Sequence, residues 1–410
     1  MQQVAAQAAP GRAAFGFVFI TVALDMMAVG IVAPVLPKLI IDFRGGDVAA
    51  AAWYVGLFAT LWSAMQFIFS PIIGAASDRF GRRPVILLSN FGLGLDYLLM
   101  AMAPNLAWLF IGRLFSGITS ASYATAGAYI ADVTPPAERA GRFGMLGAAF
   151  GLGFIIGPAV GGLLGSIDLR LPFWVAAGLS LANAAYGLFI LPESLPRARR
   201  RPFGLRNANV LGSLRLLRSH PELLGMAAAL MLMALAHEAL PNIFVLYADQ
   251  RYGWGETATG MSLALIGVAS VVVSMLVVKP LVHRLGERRT ALFGLTCGVL
   301  GFLWFALAAR GGWFLPGIAL MALLGVANPA FQSLMSRRIG AGEQGQLQGA
   351  LGSIRAVTGM AGPLLFTQVF ALAVTRGLPQ VLGAPFLLSA ALLTGAVVLG
   401  LRVLPRRGED

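Results

Sequence analysis

Apolar stretches of about 20 residues recur along the whole of this chain, and no other feature limits its folding as strongly. A helix of that length spans the roughly 30 Å of a bilayer's hydrocarbon core. Inside hydrocarbon every backbone N–H and C=O must bond within the chain, so only helices and closed barrels cross it. The runs are glycine-rich and helical in length, unlike the short alternating strands of a barrel. Only 11% of the 410 residues are charged and mean hydropathy is +0.80, against about 25% charged residues in soluble domains. An all-α membrane protein follows, and a soluble multidomain protein is excluded. Twelve spans fit: 15–36, 52–74, 84–103, 106–130, 141–165, 172–191, 222–248, 258–282, 288–309, 313–338, 346–373 and 382–403.

With the spans drawn, the net charge of +13 becomes a matter of topology rather than of nucleic-acid binding. Lys38, Arg44, Arg170, Arg251, Arg310 and Arg376 lie in connections on one face, and Arg113 and Arg355 fall within spans. The other 22 of the 30 basic residues (30 − 6 − 2) share the opposite face. Positive charge is retained on the cytoplasmic side, so both termini are expected there. Cys297 is the only cysteine, which excludes an internal disulfide and a cysteine metal site. Phe15 runs directly into a span containing Asp25 with no small-residue cleavage site after it, as in a retained first helix rather than a signal peptide.

The chain repeats itself. Gly157-Pro158 recurs as Gly362-Pro363 (362 − 157 = 205), and Arg79-Phe-Gly81-Arg82-Arg83 recurs as Arg284-Leu-Gly286-Glu287-Arg288 (284 − 79 = 205). Equal offsets in unrelated motifs predict two pseudo-symmetric six-helix bundles, the arrangement in which a central site alternates between the two faces. The expected division is 1–192, a basic cytoplasmic linker 193–221 carrying Pro196, Pro202 and Pro221, and 222–410. The stretch Gly74–Pro84 reads as a basic loop between spans two and three, with Gly74 and Gly81 supplying tight turns and Pro84 opening the next helix.

Three stretches are similar to the signature motifs of the major facilitator superfamily: 74–84, Arg113–Gly117 and the glycine-rich 147–162 with Gly153, Gly157, Pro158, Gly161 and Gly162. The last is similar to the antiporter motif of its twelve-span drug:proton antiporters. Within that group the chain most resembles the tetracycline efflux pumps, through Leu24-Asp25, Pro34–Pro37, Met65–Phe67, Leu95–Leu98, Gly127–Asp132, Gly345–Gly349 and Gly362–Phe366. The resemblance implies a proton-coupled exporter of an amphiphilic drug in a bacterial inner membrane. Tetracycline is the leading substrate, with a divalent cation as a possible companion. Another drug or metabolite is the alternative; an importer or an inactive sensor is the rival outside that class, opposed by the antiporter motif and by Asp25. No protein partner or bound cofactor is implied.

Energy must then come from an ion gradient, because neither a nucleotide-cradling loop nor a nucleophile–base set is recognisable. Acids within spans are costly, about 2.5–3.5 kcal/mol at a helix centre, and are functional candidates by default. Asp25, Asp96 and Glu238 qualify, since a carboxyl group withdrawn from water favours its neutral form, as a reversible proton carrier requires. Arg113 is a candidate counter-charge. His237 and Glu238 are adjacent and so point about 100° apart on a helix. The pumps carry glutamine at the position of Glu238, and their span-nine aspartate and span-eight histidine fall on Gly298 and Ser270. Glu238, with or without His237, is therefore expected to replace the missing proton group of the second half, or to contact a cationic substrate. Gln66, Ser89, Asn90, Asn242, Asn328 and Gln332 are candidate substrate contacts. Asp78, Arg79, Arg82 and Arg83 are expected to form an inner gate with span eleven and with Asp132 or Glu193. Pro158 is expected to break the backbone ladder of span five.

Overall fold

The computed structural model describes residues 11–120, 122–135, 138–200, 221–340, 343–377 and 379–404, and every regular element among them is helical. Residues 201–220 of the expected linker, with His220, lie outside them. In the first half α1 spans Gly11–Val32, α2 Leu36–Phe43, α3 Val48–Phe80 and α4 Arg82–Ala101. They are followed by α5 Leu106–Thr119, α6 Ser122–Val133, α7 Arg139–Gly165 and α8 Leu171–Ile190. In the second half α9 spans Pro221–His237, α10 Ala239–Tyr252, α11 Glu256–Val272, α12 Val278–Leu285 and α13 Glu287–Leu307. The chain continues with α14 Gly311–Leu324, α15 Ala327–Arg337, α16 Gln344–Thr375 and α17 Ala384–Val403. Eleven of the described segments are long and apolar enough to cross a membrane, and the twelfth span is carried by the shorter α5 with α6.

Two expectations need correction. The stretch 74–84 is not a loop: α3 continues to Phe80 and α4 starts at Arg82, so Gly81 alone, at φ 108°, separates them. Gly74 lies within α3, and Pro84 is the third residue of α4. A helix satisfies its own backbone and need not stop at the membrane surface, so the 33 residues of α3 reach about 50 Å. Spans four, seven and ten are not single helices. The first breaks at Ser120, the second at Glu238, and the third between Leu324 and Ala327. Proline explains two of these breaks. Pro241 has no N–H for the carbonyl of His237 (241 − 4 = 237), and Pro329 has none for Gly325 (329 − 4 = 325). The chain tightens instead, with Glu238 N–H donating to Leu235 O at 3.1 Å and Gly325 N–H to Ala322 O at 3.0 Å.

The 205-residue repeat recurs in the element boundaries. Helices α1 and α9 end at Val32 and His237 (237 − 32 = 205), and α5 and α14 at Thr119 and Leu324 (324 − 119 = 205). Helices α4 and α13 begin at Arg82 and Glu287 (287 − 82 = 205), each after a positive-φ glycine.

Contacts divide the chain into two compact units: 1–39, 64–208 and 256–264 in one, and 40–63, 209–255 and 265–410 in the other. In the first, α1 packs on α7 and α8, and α4 packs on α5, α6 and α8. Lipid tails are as apolar as leucine, so close backbone approach over small residues holds membrane helices together. A Cβ on Gly157 would fall 2.7 Å from Gly30 Cα and from Met27 O, and one on Gly153 would fall 2.7 Å from Met27 N. On the adjacent face Gly162 meets Gly260, whose own added Cβ would strike the carbonyl of Pro158. Helix α7 continues through Pro158, so the expected break in its backbone ladder is the loss of a single bond and does not end the helix. The ring costs one rung, and Gly30 leaves room for it: a Cβ there would lie 2.9 Å from Pro158 Cδ. In the second unit α9 packs on α16 and α17, while α13 packs on α14, α15 and α17.

Candidate functional site

Polar side chains inside the first unit gather around two acids. Asp25, on α1, is buried, and Asn183 Nδ2 of α8 donates to its Oδ1 at 3.2 Å. Asn183 is itself held by Thr21, whose hydroxyl donates to Asn183 Oδ1 at 3.1 Å and whose carbonyl accepts from Nδ2 at 3.3 Å. A neutral amide is thus the hydrogen-bond partner of this acid. Asp96, on α4, is buried facing α5, where Arg113 supplies the opposite charge, and neither of its carboxylate oxygens has a hydrogen-bond partner among the described residues. Gly112 makes the space for it, since a Cβ there would fall 2.8 Å from Asp96 Oδ1. Tyr97 is buried within electrostatic reach of Asp25, Asp96 and Arg113. The sequence reading passed over this residue, though its place beside Asp96 in an apolar span was a signal.

Ser89 and Asn90 are also buried in this unit, and Asn90 has no hydrogen-bond partner among the described residues at either end of its amide. Gln66 is half-buried on α3.

In the second unit a cavity of about 410 Å³ opens where two helices are broken. His237 and Glu238 line it from the break between α9 and α10, and Leu324, Gly325 and Asn328 from the break between α14 and α15. Gln332, Ser270, Arg355 and Thr358 complete its polar lining, and Leu230, Met233, Met321, Leu351 and Ile354 are among its apolar walls. A volume of this order, mostly apolar with a few convergent polar groups, suits a drug-sized molecule.

Two features place Glu238. Asn242 Nδ2 donates to its carbonyl at 2.7 Å and to Oε2 at 3.1 Å, holding it on one side. On the other side its stem fills the notch of α16 left by Gly362, where a Cβ would fall 2.5 Å from Glu238 Cβ. Asn242 therefore stands behind the cavity as a support, while His237, Glu238 and Gln332 face it. Gln332 Nε2 donates to Asn328 Oδ1 at 3.0 Å, joining two of the candidates. Arg355 was noted in the sequence only as a charge inside a span; that position was itself the signal that it faces a cavity. Gly298 is a packing position, where a Cβ would fall 2.8 Å from both Leu324 and Leu393.

The charged end of α3 and the start of α4 form a third cluster, in the first unit. Arg82 is nearly buried, and its guanidinium reaches Asp78 Oδ1 at 2.6 Å, Asp132 Oδ2 at 3.1 Å and Ser77 Oγ at 2.5 Å. Its backbone N–H donates to Glu193 Oε1 at 2.8 Å. Glu193 also pairs with Arg200 at 3.6 Å, and Ser194 donates to Asp132 at 3.2 Å, so the chain after α8 is strapped to the start of α4. Arg83 donates to Leu188 O at 2.5 Å, whereas Arg79 is exposed with its guanidinium 5.5 Å from the Phe80 ring centroid. Among the described residues no three His, Cys, Asp or Glu side chains converge as a metal site would need.

Repeated, interrupted membrane helices with acids buried among them and a cavity at two of the interruptions define a membrane transporter. The chain belongs to the Major Facilitator Superfamily, which it matches over residues 18–363. It is 38% identical over 366 residues to the class C tetracycline resistance protein of Escherichia coli, covering 89% of this chain and 92% of that one. Against the class G tetracycline resistance protein of Vibrio anguillarum it is 37% identical over 352 residues, 85% and 88% of the two chains. Among solved structures, the human organic anion transporter MFSD10 (TETRAN) shares 25% identity at a TM-score of 0.69, over 96% of this chain and 100% of that one.

Proposed function

We propose that this protein exports tetracycline in exchange for protons, by alternating access across a bacterial inner membrane with both chain termini in the cytoplasm. The likeness to tetracycline resistance proteins along nearly nine-tenths of the chain supports the substrate. The observation that carries the proton coupling is Asp25, a carboxylate 7% exposed inside an apolar bundle with a neutral amide as its hydrogen-bond partner. A charge so placed is held weakly, and taking up a proton relieves that cost. Asp96 with Arg113 and Glu238 in the second unit assist, and the Arg82 cluster acts as the inner gate. The gradient supplies the energy, about 2.3 kcal/mol per proton per 100 mV, with no bound cofactor, and a divalent cation travels as cargo with the drug. A second reading, export of a different amphiphile, is favoured by one observation. Leucines close around Gly298, the position where the resembling pumps carry their span-nine aspartate, so the second-half site is differently built.

The test is drug tolerance in an efflux-deficient bacterial host and proton-driven uptake into everted vesicles, with wild type and Asp25→Asn at matched expression. Tetracycline tolerance and uptake in wild type, both lost in Asp25→Asn, are expected. Undiminished transport by Asp25→Asn would overturn the coupling role, and tolerance confined to another drug class would overturn the substrate.

A further inference from the structure

Within the second-unit cavity one carboxylate oxygen has been left free. Asn242 occupies Glu238 Oε2, and the stem of Glu238 is fixed against α16 at Gly362. No hydrogen bond reaches Oε1 among the described residues, and the side chain faces a cavity otherwise lined largely by aliphatic carbon. The charged and titratable groups of that lining are His237 of α9, Glu238 itself and Arg355 of α16; α14 and α15 contribute none. Glu238 is thus the single anionic group available to a ligand there, with the cationic Arg355 also on the wall.

We propose that Glu238 Oε1 binds the positively charged nitrogen of an amphiphilic ligand, and that a proton and the ligand's cation occupy this oxygen alternately. The proposal rests on the transporter reading above and names the ligand chemistry of its second unit. The argument is one of desolvation and occupancy. A carboxylate facing an apolar cavity lacks the water that would stabilise it, so a counter-charge entering the cavity is favoured. The counter-charge can be a ligand cation, which leaves the carboxylate ionised, or a proton, which makes it neutral and removes the attraction. With Oε2 already committed to Asn242, both compete for Oε1. Arg355, permanently cationic, cannot hold a cation, and a neutral His237 offers no charge to compete with Glu238 for one. They can accept an oxyanion elsewhere on the ligand, so a zwitterionic amphiphile fits this cavity better than a simple cation does.

The probes are ethidium, whose charge does not titrate, chloramphenicol as an uncharged amphiphile and deoxycholate as an anionic one. Binding to the purified full-length protein in lipid nanodiscs is measured from pH 5.5 to 8.5. In wild type, ethidium affinity should fall on the acid side, approaching tenfold per pH unit as one proton displaces one cation. Glu238→Gln should bind ethidium at least tenfold more weakly at pH 8 and with no pH slope, while Glu238→Asp should keep the slope. Retained chloramphenicol binding, or an unchanged apparent melting temperature, identifies Glu238→Gln as folded. An unaltered ethidium affinity or slope in Glu238→Gln, preference for deoxycholate over ethidium, or no binding of ethidium by wild type would each overturn the proposal. The two readings fail separately. Tetracycline transport with Glu238-independent ethidium binding sinks only this one, and Glu238-dependent ethidium binding without tetracycline transport sinks only the substrate.

Discussion

Replacing Gly157 by alanine adds one methyl group where the backbones of α7 and α1 touch. Its Cβ would lie 2.7 Å from Gly30 Cα, 2.7 Å from Met27 O and 2.9 Å from Gly30 C, all main-chain atoms that no rotamer change can move. Ordinary contact begins near 3.4 Å, so the helices must separate by about 0.7 Å (3.4 − 2.7). Overpacking of this kind costs about 1–3 kcal/mol. The same substitution at Gly147, nearly three turns earlier on α7 and exposed, meets nothing within 4 Å. Both variants gain the roughly 1 kcal/mol that alanine holds over glycine in a helix, so the difference between them isolates the steric term. At about 2–4 °C per kcal/mol, Gly157→Ala should melt roughly 2–12 °C below Gly147→Ala in detergent at one scan rate. Gly147→Ala should equal or exceed wild type. Function should follow, because α1 carries Asp25. A 0.7 Å displacement acting along its 3.2 Å bond to Asn183 would stretch it to about 3.9 Å, beyond hydrogen-bonding range. Indistinguishable melting temperatures for the two variants would refute the close approach of α1 and α7, and with it the packing role assigned to the glycine motif.

Two further substitutions test the cluster at the end of α3. Arg82→Lys keeps the charge but cannot fork to Asp78, Asp132 and Ser77 together. With Asp78 43% and Asp132 25% exposed, the loss should be about 1–3 kcal/mol rather than the full value of three charged bonds, read as a lower melting temperature and faster proteolysis at 191–200. Arg79→Lys, at an exposed site, should change neither. Gly81→Ala and Gly286→Ala both force a side chain into positive φ, at roughly 1–3 kcal/mol each. Only the first also drives a Cβ into the Glu193 carboxylate, so Gly81→Ala should be the more damaging by thermal denaturation; equal effects would argue that Glu193 does not seat there.

Much of the fold was legible because hydrocarbon permits so few solutions. Length and hydropathy located all twelve spans, and the repeat placed Gly81 and Gly286 at equivalent boundaries. What hydropathy could not show is where a helix stops hydrogen-bonding, since Asp78, Arg79 and Phe80 continue α3 although two of them are charged. Nor did it show the breaks inside spans seven and ten. Pro241 and Pro329 lie in those spans, but Pro158, Pro316 and Pro363 sit inside helices that remain continuous, so proline alone does not distinguish a break from a tolerated kink. Neighbouring packing decides, and packing is not written in one segment. The same limit hid Tyr97, whose relation to Asp25 depends on α1 and α4 together.

The repeat also explains why the site residues could not be transferred from one half to the other. Asp25, Asp96 and Arg113 correspond at 205 residues to Leu230, Gly301 and Ile318, and Glu238 corresponds to Ala33. Backbone geometry has been kept while the chemistry has been exchanged. Gly157 and Gly362 are equivalent, and each leaves a notch on its helix. In the first half the backbone of α1 at Met27 and Gly30 fills the notch, and in the second the stem of Glu238 fills it. A glycine kept for close packing in one copy therefore seats an acid in the other. With Leu230 on the cavity wall where the first half has Asp25, an acid of the second half has to come from elsewhere. The break beside Pro241 presents one at Glu238, and the notch at Gly362 holds it.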